Sequence, residues 1–377
     1  MKFIHTADLH LDREFEGVVQ KTPYRPYKIL EMIIDFAISE AVDLVLFVGD
    51  NFHCAHPSIK IQSYFADQLA RLAEHEIQAA VIFGNHDYYR ESVYWIEFPE
   101  NVTVFKQESV ESATLCLKNG EKVTISGFSY KHAHIYEDKI SEYPSRNLEG
   151  NYHIGLFHGE FSGNNFAPAN LSDMLAKDYD YWALGHIHLA NQMARNVIYP
   201  GTPQGRTKKE QTNFVVLGTL TASALETDFH DLAEIHFETL TLDLSLCDTL
   251  AQALTFIKSN LTETTAFYSL IFENYEKIAE NLQEAIGNDG LIEELRQHYV
   301  IVKLRLQPLL VETVQARIVV PDFTLPAIDF AQIFTNLPPK KEIQKLLGDS
   351  DFQAEVMENL QLFASQQFDF ENEDKVT

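Results

Sequence analysis

Five short apolar runs constrain this chain more than any other feature, because each of them stops at residues that bind metals. They are KFIHTA (2–7), DLVLFV (43–48), QAAVIF (78–83), YHIGLF (152–157) and YDYWAL (179–184). Apolar stretches of this length, bounded at once by glycine or polar residues, read as buried β-strands. The first runs into Asp8-Leu9-His10, the second into Gly49-Asp50-Asn51 and the third into Gly84-Asn85-His86-Asp87. The fourth ends in His158-Gly159 and the fifth in Gly185-His186-Ile187-His188. In sheets built by alternating strands and helices, functional side chains collect where strands give way to loops. A spacing of two on an extended backbone sends both side chains to one face, so Asp8 with His10, and His186 with His188, are expected to point into one cavity.

The residue types narrow the chemistry. Aspartate, asparagine and histidine without cysteine suit first-row divalent cations such as manganese, iron or zinc better than calcium or a thiolate zinc site. The three cysteines, Cys54, Cys116 and Cys247, are scattered and form no CxxC pair, which speaks against a disulfide framework. Seven ligand candidates exceed what a single ion uses. Two ions sharing one carboxylate clamp both the attacking and the leaving oxygen of an in-line phosphoryl displacement, so phosphate ester hydrolysis is the expected reaction.

Between the first three strands lie helical patterns, Tyr27, Leu30, Ile34 and Ile38 in one and Tyr64, Leu69 and Leu72 in the other, which is α/β order with a helix-covered sheet. From residue 101 the texture changes to hairpins: NVTVFK, ATLCLK, the turn Asn119-Gly120, KVTISGF, and later NVIYPG, NFVVLGT and AEIHFETLTL. These predict a second sheet. Residues 244–312 read as a small α+β unit. Pro321 and Pro326 then lead to a helical C-terminus with one apolar stripe, Phe352, Val356, Leu360 and Phe363. The expected domains are 1–243, 244–312 and 313–377, which suits a chain of 377 residues.

Charge limits the partners. With 29 basic against 55 acidic residues the formal net charge is -26, which disfavours indiscriminate binding to polyanions. Any action on nucleic acid therefore needs bound metals, a local basic face or a partner. No apolar run approaches the roughly 18 residues of a membrane span, and His5, Thr6 and Asp8 interrupt the apolar start, so neither a span nor a signal peptide is expected and the location expected is cytoplasmic.

The series DLH, GDN, GNHD, FHG and GHIH resembles the full motif set of the calcineurin-like metallophosphoesterase superfamily, over about the first 240 residues. Within it, HTADLHLD, GDNFH, YDYWALGHIH and YPGTPQGR are similar to the DNA repair exonuclease branch: SbcD-like nucleases, their meiotic-recombination-eleven relatives and, most closely, the bacterial YhaO-like group. The resemblance implies a two-sheet β-sandwich flanked by helices in four layers, with a smaller α+β capping domain over the active site. It implies that Asp8, His10, Asp50 and His188 hold one ion and Asp50, Asn85, His158 and His186 the other, with Asp50 as the bridge. His86 then donates to the phosphate or protonates the leaving 3′ oxygen, Asp87 orients His86, and His53 orients the DNA strand. Arg206 is the basic residue expected to meet a phosphate, with a structural ion pair as its other reading. Arg13 and the Lys208-Lys209 pair could touch the DNA backbone or simply be solvated surface.

The function implied is a two-metal, Mn²⁺-dependent DNA nuclease of DNA repair, working as a 3′–5′ exonuclease with single-strand endonuclease activity. Its alternatives are a metallophosphodiesterase of small nucleotides and a scaffold or regulatory subunit of an SMC-type ATPase complex. The implied partners are DNA and an SbcC-like or YhaN-like ATPase docking on the C-terminal stripe; a homodimer is also compatible.

Overall fold

Alternation along the central strands explains the architecture. In the computed structural model, which describes residues 1–307 except 20, 95, 96, 147–149 and 262–264, the chain opens with β1 (Lys2–Thr6), α1 (Lys28–Ser39), β2 (Leu44–Val48), α2 (Ile59–Ala73), β3 (Gln78–Ile82) and β4 (Val102–Val104). On β2, Leu44, Leu46 and Val48 face one apolar cluster while Val45 and Phe47 face another. A strand buried on both faces has no polar side, hence its unbroken hydrophobic run. The outer cluster is closed by α1, through Ile29, Leu30, Ile33, Ile34 and Ala37, and by α2, through Ile61, Phe65, Leu69 and Leu72. Ser58 caps α2 by accepting from the Ile61 amide, a contact of about 1 kcal/mol.

The chain continues through β5 (Glu111–Cys116), β6 (Lys122–Gly127), β7 (Tyr152–His158), α3 (Leu171–Leu175), β8 (Tyr181–Gly185), β9 (Asn191–Ala194), β10 (Val197–Tyr199), β11 (Phe214–Leu220) and β12 (Leu225–Asp231). One six-stranded sheet has the order β12-β11-β1-β2-β3-β4 and the other β5-β6-β7-β8-β10-β9. Their facing sides share a core of Phe3, Leu46 and Ile82 from the first sheet with Ile125, Ile154, Leu156 and Ala183 from the second. Behind the second sheet, Trp182 stacks on Tyr179 at 4.6 Å and is closed in by Tyr143 and Phe157. Within each sheet the strands that matter run parallel: β1, β2 and β3 in the first, β7 and β8 in the second. All five therefore deliver their C-terminal ends to one rim.

The two-sheet sandwich agrees with the sequence reading, but three segments belong elsewhere. NVTVFK extends the first sheet parallel to β3, and NFVVLGT, as β11, joins it antiparallel to β1. AEIHFETLTL enters neither sheet. It supplies β13 (His236–Asp243), which with α4 (Leu250–Asn260), β14 (Ala266–Glu273), α5 (Glu280–Gly287), α6 (Gly290–Arg296) and β15 (Val300–Leu306) forms a three-stranded parallel unit. β13 pairs with β14 from His236 to Asp243, so this α+β unit begins near residue 236 and not at 244. The sequence between β12 and β13 carries no glycine or proline to mark the change of sheet. The unit rests on the loop after β1, where Phe15 meets Phe267 edge-on at 5.0 Å and Tyr24 packs beside it. The C-terminal stripe of Phe352, Val356, Leu360 and Phe363 lies outside the described residues. Among those described, no helix is long and apolar enough to cross a membrane.

Candidate metal centre

The loops at the rim are left-handed where the sequence argument supposed extended backbone. Asp8, His10, Asp50 and His186 have φ of 54°, 43°, 50° and 98°, a region that aspartate and histidine enter more readily than most residues. The side chains converge because each strand end turns sharply, and strand alternation is not the cause. Such conformations cost of order 1–3 kcal/mol each and persist when their surroundings hold them. Here the loops hold each other: the Asp8 amide donates to the Gly49 carbonyl at 3.1 Å and the His10 amide to that of Asp50 at 2.9 Å. Two glycines leave room for the ligands. A Cβ on Gly49, whose φ is 80°, would stand 2.3 Å from His158 Nδ1, and one on Gly84 would stand 2.2 Å from Asp50 Oδ1.

Two groups of ligand atoms result. In one, His10 Nε2 and His188 Nε2 are 3.1 Å apart, with Asp8 Oδ1 4.0 Å from the latter and Asp50 Oδ2 3.9 Å from the former. In the other, Asn85 Oδ1 lies 3.1 Å from His158 Nε2 and 3.0 Å from His186 Nδ1, and Asp50 Oδ2 is 3.5 Å from His158 Nε2. One oxygen of Asp50 thus stands between the groups. His158 Nδ1 donates to the Val48 carbonyl at 2.9 Å, which leaves its Nε2 directed inward.

The donor set fits divalent cations on electrostatic grounds. Asp8, Asp50 and Asp87 are at most 1% exposed, and none has a Lys or Arg partner among the described residues. Buried carboxylates need a compensating charge. The protein's own partial answer is His158: burial opposes its charged form, but the adjacent Asp50 carboxylate outweighs that and raises its pKa to about 9. Burial pushes Asp8 up, whereas Asp50, despite burial, is held well down by His158 and His10. Burial also lowers His186 to about 3, so it is neutral and able to ligate.

The other residues singled out from the sequence divide. His86 Nδ1 donates to the His53 carbonyl at 3.2 Å, and its ring lies 5.1 Å from that of His10. His53 stacks on His86 at 5.0 Å, and the Asp12 carboxylate accepts from its backbone amide. Asp87 does not orient the His86 ring. Its carboxylate accepts from the amides of Gly84 (2.6 Å), Asn51 (2.8 Å), Asp50 (3.2 Å) and Phe52 (3.3 Å), so it ties the loops after β2 and β3 together. Arg206 is corrected too. It is 1% exposed, and its guanidinium donates to the carbonyls of Gln204, Leu9 and Pro26 at 2.9, 2.9 and 3.2 Å. A phosphate in solution cannot reach it; the residue pins the loop that carries His10.

Sequence reasoning missed Glu210. Its Oε1 accepts from His188 Nδ1 at 2.7 Å, and its Oε2 accepts from the Arg206 and Thr207 amides at 2.6 and 3.0 Å. A lone glutamate in a loop of an acidic chain carries no pattern that would single it out. Carboxylates on the outer nitrogen of a metal-binding histidine fix its tautomer and raise its basicity. Replacing Glu210 with glutamine is expected to weaken metal affinity about 10- to 100-fold while leaving the fold intact. Metal titration followed by calorimetry checks this, and unchanged affinity would remove Glu210 from the centre.

A family model described as calcineurin-like phosphoesterase matches residues 1–190. The chain is 36% identical over 225 residues to the uncharacterized metallophosphoesterase YhaO of Bacillus subtilis, covering 56% of this chain and 55% of that protein. It is 29% identical over 193 residues to the DNA double-strand break repair protein Mre11 of Sulfurisphaera tokodaii, covering 50% and 49%, and 23% identical over 233 residues to that of Methanopyrus kandleri, covering 55% and 49%. The chain spans about half the length of these curated relatives. The five strand-end motifs fall within the matched segment, and the chain belongs to the calcineurin-like phosphoesterase family.

Proposed function

We propose that this protein is a Mn²⁺-dependent DNA nuclease that removes nucleotides from 3′ ends, can nick single strands, and acts in DNA repair. The observation that carries the two-ion reading is the position of Asp50 Oδ2 between His10 and His158. Similarity to proteins named for double-strand break repair supports DNA as the substrate. When bound, the two divalent ions supply Lewis acidity at the attacking and leaving oxygens of the phosphodiester. Asp8, His10, Asp50 and His188 would hold one of them, and Asp50, Asn85, His158 and His186 the other.

The remaining residues position the substrate and move a proton. Because His86 Nδ1 is engaged by the His53 carbonyl, Nε2 is the nitrogen left to donate to the phosphate or to the departing 3′ oxygen. Asp87 and the Gly84 amide keep the His86 loop in place. An SbcC-like or YhaN-like ATPase partner belongs to the same proposal and rests on the motif resemblance; a cytoplasmic location belongs to it too and rests on the polar residues His5, Thr6 and Asp8 that interrupt the apolar start.

The test is to incubate metal-stripped protein with labelled single- and double-stranded DNA and, separately, with bis-p-nitrophenyl phosphate, with and without Mn²⁺. Degradation of DNA only with Mn²⁺ is the expected result. Turnover of the small diester without any DNA cleavage would replace the nuclease by a small-molecule phosphodiesterase.

A further inference from the structure

Asp8, His10 and His188 owe their positions to a single loop, 202–210. The Thr202 hydroxyl donates to the Asp8 carbonyl at 2.9 Å. Arg206 holds the strand end that carries His10, its guanidinium donating to the Leu9 carbonyl at 2.9 Å. Its amide and that of Thr207 fix the Glu210 carboxylate, which accepts from His188. The ligand candidates of the other ion are braced elsewhere. His158 Nδ1 donates to the Val48 carbonyl, and the His158 carbonyl accepts from the Tyr130 hydroxyl at 3.0 Å. The His186 ring packs on Phe166 at 4.6 Å. None of those braces belongs to the α+β unit that begins near residue 236.

The loop at 202–210, by contrast, is gripped by that unit. Gln204, 2% exposed, donates to the Ile235 carbonyl at 2.7 Å and accepts from the amides of Glu234 and Ile235 at 3.1 and 3.3 Å, which ties it to the chain directly before β13. The Arg206 guanidinium lies over the ring of Phe15 at 5.6 Å, and the Arg206 carbonyl accepts from the Glu16 amide at 2.9 Å. Phe15 in turn meets Phe267 of β14 at 5.0 Å and Phe237 of β13 at 6.3 Å. A Cβ on Gly17, whose φ is 74°, would stand 2.5 Å from Val302 Cγ1 of β15, so the loop after β1 and the unit meet without a gap. All three strands of the unit therefore bear on residues 15–17. Close-packed contacts of this kind pass a displacement on rather than absorb it, and the affinity of a metal site depends on the groups behind its ligands.

We propose that the α+β unit sets the affinity of the centre for one of its two ions, the one held by Asp8, His10 and His188, and leaves the other alone, with Phe15, Gln204 and Arg206 as the positioning residues that carry the effect. The inference rests on the two-ion reading and adds a control to it. Clamping the attacking and leaving oxygens takes both ions, so a shift of the unit away from Phe15 stops hydrolysis without touching a ligand. Such coupling is reciprocal: the ion that the unit helps to bind holds the unit down by the same factor.

Titration of the full chain with Mn²⁺, followed through the electron paramagnetic resonance of the free ion, tests it. Wild-type protein should take up two ions. Phe267→Leu, which removes the ring facing Phe15, should weaken one of them about tenfold, the scale of a lost outer partner, and leave the other as it was. Phe272→Leu makes the same change on the same strand but inside the unit's own core, and should alter neither. In a His188→Ala background, where the second ion alone remains, Phe267→Leu should have no further effect. Gln204→Leu cuts the tie to residues 234–235 and should reproduce the selective loss, so the inference can still be refuted if Phe267→Leu does not fold; circular dichroism shows which variants do. Equal weakening of both ions, or of neither, in the folded variants overturns the coupling and leaves the two-ion centre standing. The same selective loss in Phe272→Leu would make the effect a general loosening of the unit and overturn it too. Uptake of a single ion by wild-type protein overturns the two-ion reading and this inference with it.

Discussion

Replacing Asp50 with alanine is expected to remove both metal sites at once. Its Oδ2 stands 3.9 Å from His10 Nε2 and 3.5 Å from His158 Nε2, so each group of ligand atoms loses an oxygen, and the charge that holds His158 protonated goes as well. Each ion contributes several kcal/mol of transition-state stabilisation, and every 1.36 kcal/mol is a factor of ten in rate, so hydrolysis should fall by about 10⁴-fold or more. Mass spectrometry of the native protein should find neither ion, while circular dichroism finds the fold, because Asp50 sits at the end of β2 and packs no core. Asp50→Asn, which preserves the shape and removes the charge, should bind metal weakly and remain slow. Full activity in either variant would exclude this centre.

His86→Ala is expected to behave in the opposite way, with metal content retained and the rate of DNA cleavage reduced about 10²- to 10⁴-fold, the scale of general acid catalysis. The choice of leaving group separates this role from a structural one. A departing deoxyribose oxygen needs a proton, whereas p-nitrophenolate leaves without one, so the penalty should shrink severalfold with the chromogenic diester. An equal penalty on both substrates would assign His86 to binding the phosphate, and no penalty on either would take it out of the mechanism.

Much of the centre was legible because its ligands sit directly after apolar runs that only buried strands produce. The reason given for their convergence was wrong in its geometry. Asp8 and His10 reach one cavity through left-handed turns, which period-two counting cannot register and which Asp, Asn and His disguise by tolerating them. Asp87 looked like a partner of its neighbour His86, yet its carboxylate points back at amides of residues 50–52, a contact between two loops 36 positions apart. Arg206 read as a phosphate contact because a cation in a Gly-Pro loop is usually solvated; three carbonyls close around it instead. The sheet membership of β4, β11 and β13 was equally hidden, since alternation reveals that a strand is half-buried and says nothing of which neighbour it pairs with.

The order in which the ligands occur along the chain has a consequence for biosynthesis. His10 and His188 are 178 positions apart, and every group of ligand atoms draws on both sheets. A ribosome adding about 5–20 residues per second exposes Asp8, His10 and Asp50 many seconds before His186 and His188 emerge. During that interval a cation can find carboxylate and imidazole on the growing chain but no enclosed set of them. Tight binding begins only when β8 has docked against β7, so loading with metal reports that both halves of the sandwich have closed, and a truncated or misassembled chain is left without a complete centre.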